Sequence, residues 1–365
     1  MDGPQDRLRV RRLAAGLFLA AASLGAQTAS PTPPSKWETL PIAAYDTNTG
    51  FGLGVKTFLL DKLHRQESLD VILFASTKGE RWAKVVVSNP DFGLREGTVF
   101  PLALDLKVDY DRMTHSHFYG VGNKSKASDF EAFNKEPLLV EGAASHAFSH
   151  RILLQAGLRY RWVRNSRFVP GGLLEALGGA SAGLVQGASA FLNLRYDTRD
   201  SYLVPTRGWV LEGEGEESPG GALGDESFRE STLTVRRYFP LPVLRTVLAL
   251  RARLQDLSGN GLPVQTLLSL GGGDTLRGYA QDRFLGTASA LANLELRFPL
   301  VGRLGAVAGY DTGKVWNGLR KADLRDWPGN PDFGLRYYMH TFVVRVDLGL
   351  GREGTGLYLN FDQIL

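Results

Sequence analysis

The chain of 365 residues contains no cysteine, so neither a disulfide frame nor a thiolate metal site is available to it. After its first 36 residues there is no apolar run approaching the roughly 20 residues that a membrane-spanning helix needs. Charge of one sign is missing as well. The 42 basic residues face 38 acidic ones, and the basic residues alternate with apolar ones instead of clustering, which excludes a nucleic-acid-binding stripe. No Ser–His–acid order and no H-E-x-x-H pattern points to an enzyme. His115-Ser116-His117 puts two imidazoles on one strand face but brings no third ligand, so it reads as a polar loop element. Catalytic, cofactor-binding and metal-binding residues are therefore expected to be none. Glycine is plentiful at 43 residues, suited to tight turns and close strand packing.

The first residues read as a targeting segment. Arg7, Arg9, Arg11 and Arg12 precede the apolar run Leu13–Leu24, and Leu24-Gly25-Ala26 supplies small residues for cleavage. Residues 1–26 are expected to be a signal peptide and 27–37 a short leader rich in Pro, Ser and Thr. Residues 38–365 then form one domain.

That domain is patterned with period two. Leu102, Leu104, Leu106, Val108 and Tyr110 alternate with Asp105, Lys107 and Asp109. Leu192, Leu194 and Tyr196 alternate with Asn193, Arg195 and Asp197, and Phe342 to Leu350 alternates likewise around Arg345 and Asp347. A helix would show period 3.6. Segments of about ten residues with this alternation, separated by turn residues, mark a transmembrane β-barrel. Sixteen strands are expected, near 38–47, 51–60, 69–77, 81–90, 99–112, 136–147, 151–163, 186–198, 206–217, 227–239, 243–256, 287–298, 303–312, 331–339, 341–350 and 355–363. The long connections 113–135, 164–185, 257–286 and 313–330 all follow odd-numbered strands, while those after even-numbered strands are mostly brief. A soluble β-sandwich would not sort its loops this way. The chain thus reads as all-β, a 16-stranded antiparallel transmembrane barrel with outward long loops and periplasmic termini. Its lumen is expected to be charged, and Trp37, Trp82, Trp162, Trp209 and Trp316, near strand ends, to form interfacial girdles.

The longest loop carries Leu276-Arg277-Gly278-Tyr279, and the strand after it runs from Ala288 to Phe298. In that strand Leu291, Asn293, Glu295 and Arg297 share one face, and Ala292, Leu294, Leu296 and Phe298 the other. Gly309-Tyr310-Asp311-Thr312-Gly313 follows on the next strand. With Asn193–Trp209 these stretches resemble the BamA/TamA-like family of bacterial surface antigen barrels, whose cousins are two-partner secretion transporters. The second half of the chain carries the resemblance. The first half matches loosely, through Phe118-Tyr119-Gly120-Val121-Gly122.

The resemblance places Arg277, Gly278 and Tyr279 in the sixth outer loop, folded into the lumen. Physical reasoning then expects a latch. An unpaired guanidinium is costly in a water-poor interior, and Glu295 and Asp311 supply carboxylates on inward faces of adjacent strands. Gly278 allows close approach to the wall, and Tyr279 packs its ring there. The closing strand, with Gly356, Tyr358 and Phe361, has the alternation of an outer-membrane sorting signal, and Phe361 is expected to act as its terminal aromatic. The family usually carries periplasmic POTRA domains, and too few residues separate the expected cleavage site from the first strand to hold one. The resemblance implies an outer-membrane protein that is not an enzyme. It would aid insertion or transport of proteins or lipids, with outer-membrane lipids, unfolded outer-membrane polypeptides or a separate periplasmic protein as partners. The alternative is a passive pore or structural surface protein.

Overall fold

The computed structural model describes residues 37–365 apart from Leu244, His340, Thr341 and Asp362. The expected signal peptide lies outside the described residues, as does the expected leader up to Lys36. Trp37 belongs to the first strand and not to the leader.

Sixteen antiparallel strands close into a barrel. They are β1 (Trp37–Asp46), β2 (Gly50–Leu60), β3 (Ser68–Ser76), β4 (Arg81–Asn89), β5 (Ala103–Phe118), β6 (Glu131–Ala147), β7 (Ile152–Ser166), β8 (Leu184–Asp197), β9 (Gly208–Pro219), β10 (Ser227–Pro240), β11 (Val247–Gly259), β14 (Ala288–Val301), β15 (Leu304–Trp316), β16 (Gly329–Tyr338), β17 (Val343–Leu350) and β18 (Thr355–Phe361). Two short strands, β12 (Leu268–Leu270) and β13 (Phe284–Gly286), pair with each other inside the long connection between β11 and β14.

Most strand bounds fall within a few residues of the periodic segments. The larger differences lie at the β5–β6 hairpin. β5 starts at Ala103, not residue 99, because the chain before it is a turn carrying the short helix α1 (Phe92–Arg95), capped by the Asp91 side chain. At its other end the hairpin reaches Phe118 and Glu131, through a register shift between Met113 and Ser116. Residues 113–118 and 131–135 are therefore strand and not loop.

Alternation divides each strand between lipid and lumen. On β14, Leu291, Asn293, Glu295 and Arg297 are buried inside, whereas Leu294 is exposed on the outer surface. Inside, the β6–β9 wall is a ladder of ion pairs. Arg159 reaches Glu141 at 2.7 Å, Glu214 at 2.6 Å and Glu216 at 2.5 Å, and Arg195 reaches Glu212 at 2.7 Å. The aromatic girdle is only partly as expected. Trp37 and Trp209 are exposed on the outer surface, but Trp82 turns inward and donates Nε1–H to Asp109 at 2.8 Å. Trp316 is buried at the long-loop end against Trp327, with ring centroids 5.6 Å apart.

The barrel closes where β1 meets β18, and among the described residues this seam is the shortest ladder in the wall. It pairs Tyr45 with Leu359 and Asp46 with Tyr358, beside Thr47, whose Oγ1 accepts from Leu357 N–H at 2.8 Å. On its other side β1 pairs with β2 along its whole length, Trp37 to Asp46. From Leu40 to Ala44, toward the short-turn end, no further rung joins β1 to β18 among the described residues.

Candidate functional site

The connection between β11 and β14 folds into the lumen. Gly271 and Gly272 take positive φ values of 124° and 90°, which turn the chain inward after β12. Gly272 N–H then donates to Tyr279 carbonyl at 3.0 Å, closing a tight turn with Arg277 at its tip.

Arg277 is fully buried. Its Nε and Nη2 donate to the two Asp311 oxygens at 2.9 and 2.7 Å, and its backbone N–H donates to the same carboxylate at 3.1 Å. Nη1 donates to Glu295 at 2.9 Å and lies 3.4 Å from Asp347. Nη2 lies 2.9 Å from Asp332, an ionic contact in which neither Asp332 oxygen accepts a well-directed hydrogen bond among the described residues. These acids come from four neighbouring strands, β14 to β17. Further arginines balance them. Arg336 pairs with Glu295 at 3.2 Å and Asp347 at 2.7 Å, Arg297 with Glu295 at 3.1 Å, and Arg345 with Asp347 at 3.3 Å. Asn293 Nδ2 donates to Asp311 at 2.6 Å and to Thr275 carbonyl at 2.8 Å, fixing the carboxylate beside the turn. Charges taken from water need this kind of dense pairing to persist. Glu295, Asp332 and Asp347 lie close enough together to ligate a cation, but the Arg277 and Arg336 guanidinium groups already neutralise them.

The turn fits against a glycine-lined slot. A Cβ on Gly278 would stand 2.5 Å from Gly351 N and 2.6 Å from Asn330 Cβ. Conversely, a Cβ on Gly349 or Gly356 would collide with the Arg277 carbonyl. Tyr279 packs its ring on Phe284, centroids 5.2 Å apart, and directs its hydroxyl to Gly329 carbonyl at 3.4 Å. On the closing strand Tyr358 is buried in the lumen rather than facing lipid, and its hydroxyl donates to Tyr279 carbonyl at 3.4 Å. Phe361 packs on Phe342, centroids 5.7 Å apart.

A second arginine was not anticipated. Arg283, nearer the long-loop end, grips Glu353 with Nε at 2.6 Å and Nη2 at 2.8 Å, and reaches Ser125 with Nη1 at 2.7 Å. Its guanidinium also lies over the Tyr119 ring at 4.9 Å. Gly122 N–H donates to Leu285 carbonyl at 2.7 Å, and Phe118, Phe133, Leu174 and Leu285 form an apolar cluster. The stretch from Phe118 to Gly122, loosely matched in sequence, thus helps seal the long-loop mouth. Asp332 and Arg336 were also missed, although they alternate with Phe333 and Leu335 as the strand pattern requires. Nothing in the sequence tied Arg283 to Glu353, 70 residues away.

Beside the loop the lumen keeps a cavity of about 790 Å³ along the β1–β7 wall. It extends from Leu40 and Phe361 to His115 and Gln281.

The Omp85 superfamily domain profile matches residues 78–328. No curated protein matches the sequence. Among solved structures, BamA from Haemophilus ducreyi lacking POTRA domains 1–3 is similar at 15% identity and TM-score 0.64, over 90% of this chain and 70% of that one. CdiB from Escherichia coli is similar at 15% identity and TM-score 0.64, over 91% of this chain and 63% of that one. CdiB from Acinetobacter baumannii is similar at 13% identity and TM-score 0.56, over 90% and 60%. The chain thus spans less than two thirds of either CdiB chain, and the likeness at these identities is one of fold.

Proposed function

We propose that this chain, which belongs to the Omp85 superfamily and is an outer-membrane barrel, aids the insertion or transport of polypeptides or lipids there. In this reading the long loops face outward, β1 starts and β18 finishes at the periplasmic end, and Arg277 is the latch that holds the sixth loop in the lumen. One observation carries it: among the described residues the β1–β18 ladder is made at Tyr45 and Asp46 alone, in a wall whose other ladders are long. Unpaired backbone at membrane depth is costly, so a short seam is a place where the wall opens or accepts another strand at least expense. The latch supports it, because a loop clamped to β14–β17 keeps the rest of the wall rigid while the seam moves. The experiment is to reconstitute the barrel in liposomes and follow the folding rate of a small outer-membrane barrel added in urea. Acceleration that disappears when the seam is cross-linked supports the reading. An unchanged rate in both forms overturns it.

The cavity along β1–β7 favours a second reading, a passive pore. Steady ion conductance that survives seam cross-linking, without any effect on polypeptide folding, would select it.

A further inference from the structure

We propose that the outer face of β4–β7, at the long-loop end, is a binding site for a lipid head group that carries two phosphates. The site rests on the reading that the long loops face outward, so that it meets the outward leaflet, and not on any handling of polypeptides.

Alternation fixes which residues face lipid. On β5, Asp109 points into the lumen, where it accepts the Trp82 indole N–H, so Leu106, Val108, Tyr110 and Arg112 share the outer face. On β7, Arg159 and Arg161 point inward to Glu216, so Leu158, Tyr160, Trp162 and Arg164 share the outer face. Both strands thus run from aliphatic to aromatic to arginine toward the long loops. Interfacial aromatic residues mark the level at which hydrocarbon gives way to head groups. Arg112 and Arg164 each stand one outward position beyond that level, at the depth of lipid phosphates.

The register joins these arginines in one row. Arg81 of β4 stands directly opposite Arg112, and Glu136 of β6 directly opposite Arg164. Arg112 Nε lies 3.2 Å from a Glu136 oxygen. The row therefore holds three arginines and one acid, and Arg112 already occupies that acid. Arg81 and Arg164 are exposed and close no ion pair among the described residues. Like charges directly opposite each other across a strand pair repel, and an anion laid over Arg81 and Arg112 relieves that repulsion. By contrast, the outer-face Arg229 and Glu217 at the long-loop end of β9 and β10 neutralise each other at 2.7 Å.

Spacing sets the class of ligand. Adjacent strands lie about 4.8 Å apart, so Arg81 and Arg164, on β4 and β7, are roughly 14 Å apart. A phosphate that bridges Arg81 and Arg112 is kept from Arg164 by the Glu136 carboxylate between them. A head group with two phosphates on a sugar spacer meets both ends of the row, and each phosphate accepts guanidinium hydrogen bonds in pairs.

The test uses the full barrel in detergent with lipid A, a glycolipid bearing two phosphates, and reads retained lipid by native mass spectrometry. The parent should retain lipid A in preference to its monophosphorylated form and to phosphatidylglycerol. Arg81→Gln with Arg164→Gln should lower retention about tenfold, as loss of two charge-assisted contacts implies. Arg229→Gln should leave it unchanged. Glu136→Gln removes the one acid of the row and should raise retention, which a merely structural role for these side chains would not produce. Unheated gel mobility checks that each variant is folded, and Glu136→Gln carries the test if the double variant is not. Equal retention by the parent, the double variant and Glu136→Gln overturns the site, and equal retention of phosphatidylglycerol overturns the two-phosphate assignment. Lipid A retained by a barrel that leaves polypeptide folding rates unchanged supports the site and counts against the proposed function alone. A barrel that accelerates folding but retains no lipid A overturns the site alone.

Discussion

Arg277 meets Asp311 edge-on, Nε 2.9 Å from one carboxylate oxygen and Nη2 2.7 Å from the other, with both side chains fully buried. This fork needs a planar group with donors at fixed spacing, which lysine lacks. Arg277→Ala leaves Glu295, Asp311, Asp332 and Asp347 crowded without the charge between them. Loss of one partner from a buried pair costs about 3–5 kcal/mol, less where lumen water reaches the site. Arg277→Lys should recover only part of that loss. The double mutant Arg277→Ala/Asp311→Ala should cost less than the sum of the two single changes, because both act on one contact. Denaturant titration of the folded gel form measures the parent and these four variants, and simple additivity would show that the two residues are not coupled.

Arg283 predicts a different phenotype. It ties the inserted loop to Glu353 and Ser125 at the long-loop mouth, away from the Arg277 cluster. Arg283→Ala should leave the Arg277 contacts in place and free the outer cap. The expected result is a barrel of nearly unchanged thermal stability whose residues 260–287 become open to external protease. Glu353→Gln keeps one acceptor for the arginine and should be cut more slowly than the alanine variant.

These two arginines also show how far the sequence could be read. The barrel was legible because lipid and lumen impose opposite polarity on alternate residues, and Asn293, Glu295 and Arg297 alternate with Leu294 and Leu296 without a break. Arg277, Glu295 and Asp311 could be grouped because the strands carrying the acids follow the loop directly. Asp332 was within reach by the same alternation, but its strand begins Gly329-Asn330-Pro331, which hides its period. Arg283 with Glu353 was not legible. That contact depends on which outer loops fold over the mouth, and loop conformation leaves no periodic trace. Trp82 misled for a related reason. It stands near a strand start, where lipid-facing tryptophan is common, but its parity puts it in the lumen beside Asp109.

The glycine slot makes a steric prediction. A Cβ at Gly349 would overlap the Arg277 carbonyl, whereas one at Gly354 meets nothing within 4 Å. Gly349→Ala should push the turn off the wall and cost about 1–3 kcal/mol, the usual range for overpacking. Gly354→Ala on the same hairpin is the control and should be nearly neutral. Equal behaviour of the two variants in unfolding experiments would mean that the turn does not rest on the wall.

Asp282 gives the inserted loop a pH dependence. Burial alone would raise its pKa, but the Lys135 charge, together with hydrogen bonds from Lys135, Ser269 and Gln281, outweighs burial and holds it below the ordinary carboxylate value. Lys135 Nζ lies 2.8 Å from one oxygen, and Ser269 Oγ donates to the other at 2.7 Å. A lowered folded pKa means that its contribution is complete above the unfolded value of about 3.9 and is lost as pH falls through the folded one. Asp282→Asn should therefore weaken the loop by about 1–2 kcal/mol at neutral pH. Its difference from the parent should shrink toward zero on acidification below pH 4, as read by protease protection of the loop. A difference that stays constant from pH 7 to pH 3 would assign the effect to packing and not to charge.

The residues after β18 separate two roles that a single truncation would confuse. Leu365 packs on Val210, Tyr238 and Ala249, on strands β9 to β11 and so across the barrel from the seam. Arg251 donates to Ile364 carbonyl at 3.1 Å and Arg297 to Leu365 carbonyl at 3.2 Å. Removing Gln363 to Leu365 takes away this anchorage but leaves every rung between β17 and β18. The cost should be about 1–3 kcal/mol, from two lost charge-assisted hydrogen bonds and one exposed apolar niche, and the barrel should still fold. Removing Gly356 to Leu365 also deletes β18, so β17 and β1 are left facing lipid with unpaired backbone along their edges. That protein should fail to give the fast-migrating folded form in unheated gels, while the shorter truncation gives it with a lower melting temperature. If the longer truncation also migrates as a folded barrel, β18 does not close the wall, and the two-rung seam between Tyr45 and Asp46 and their partners is not where this barrel is joined.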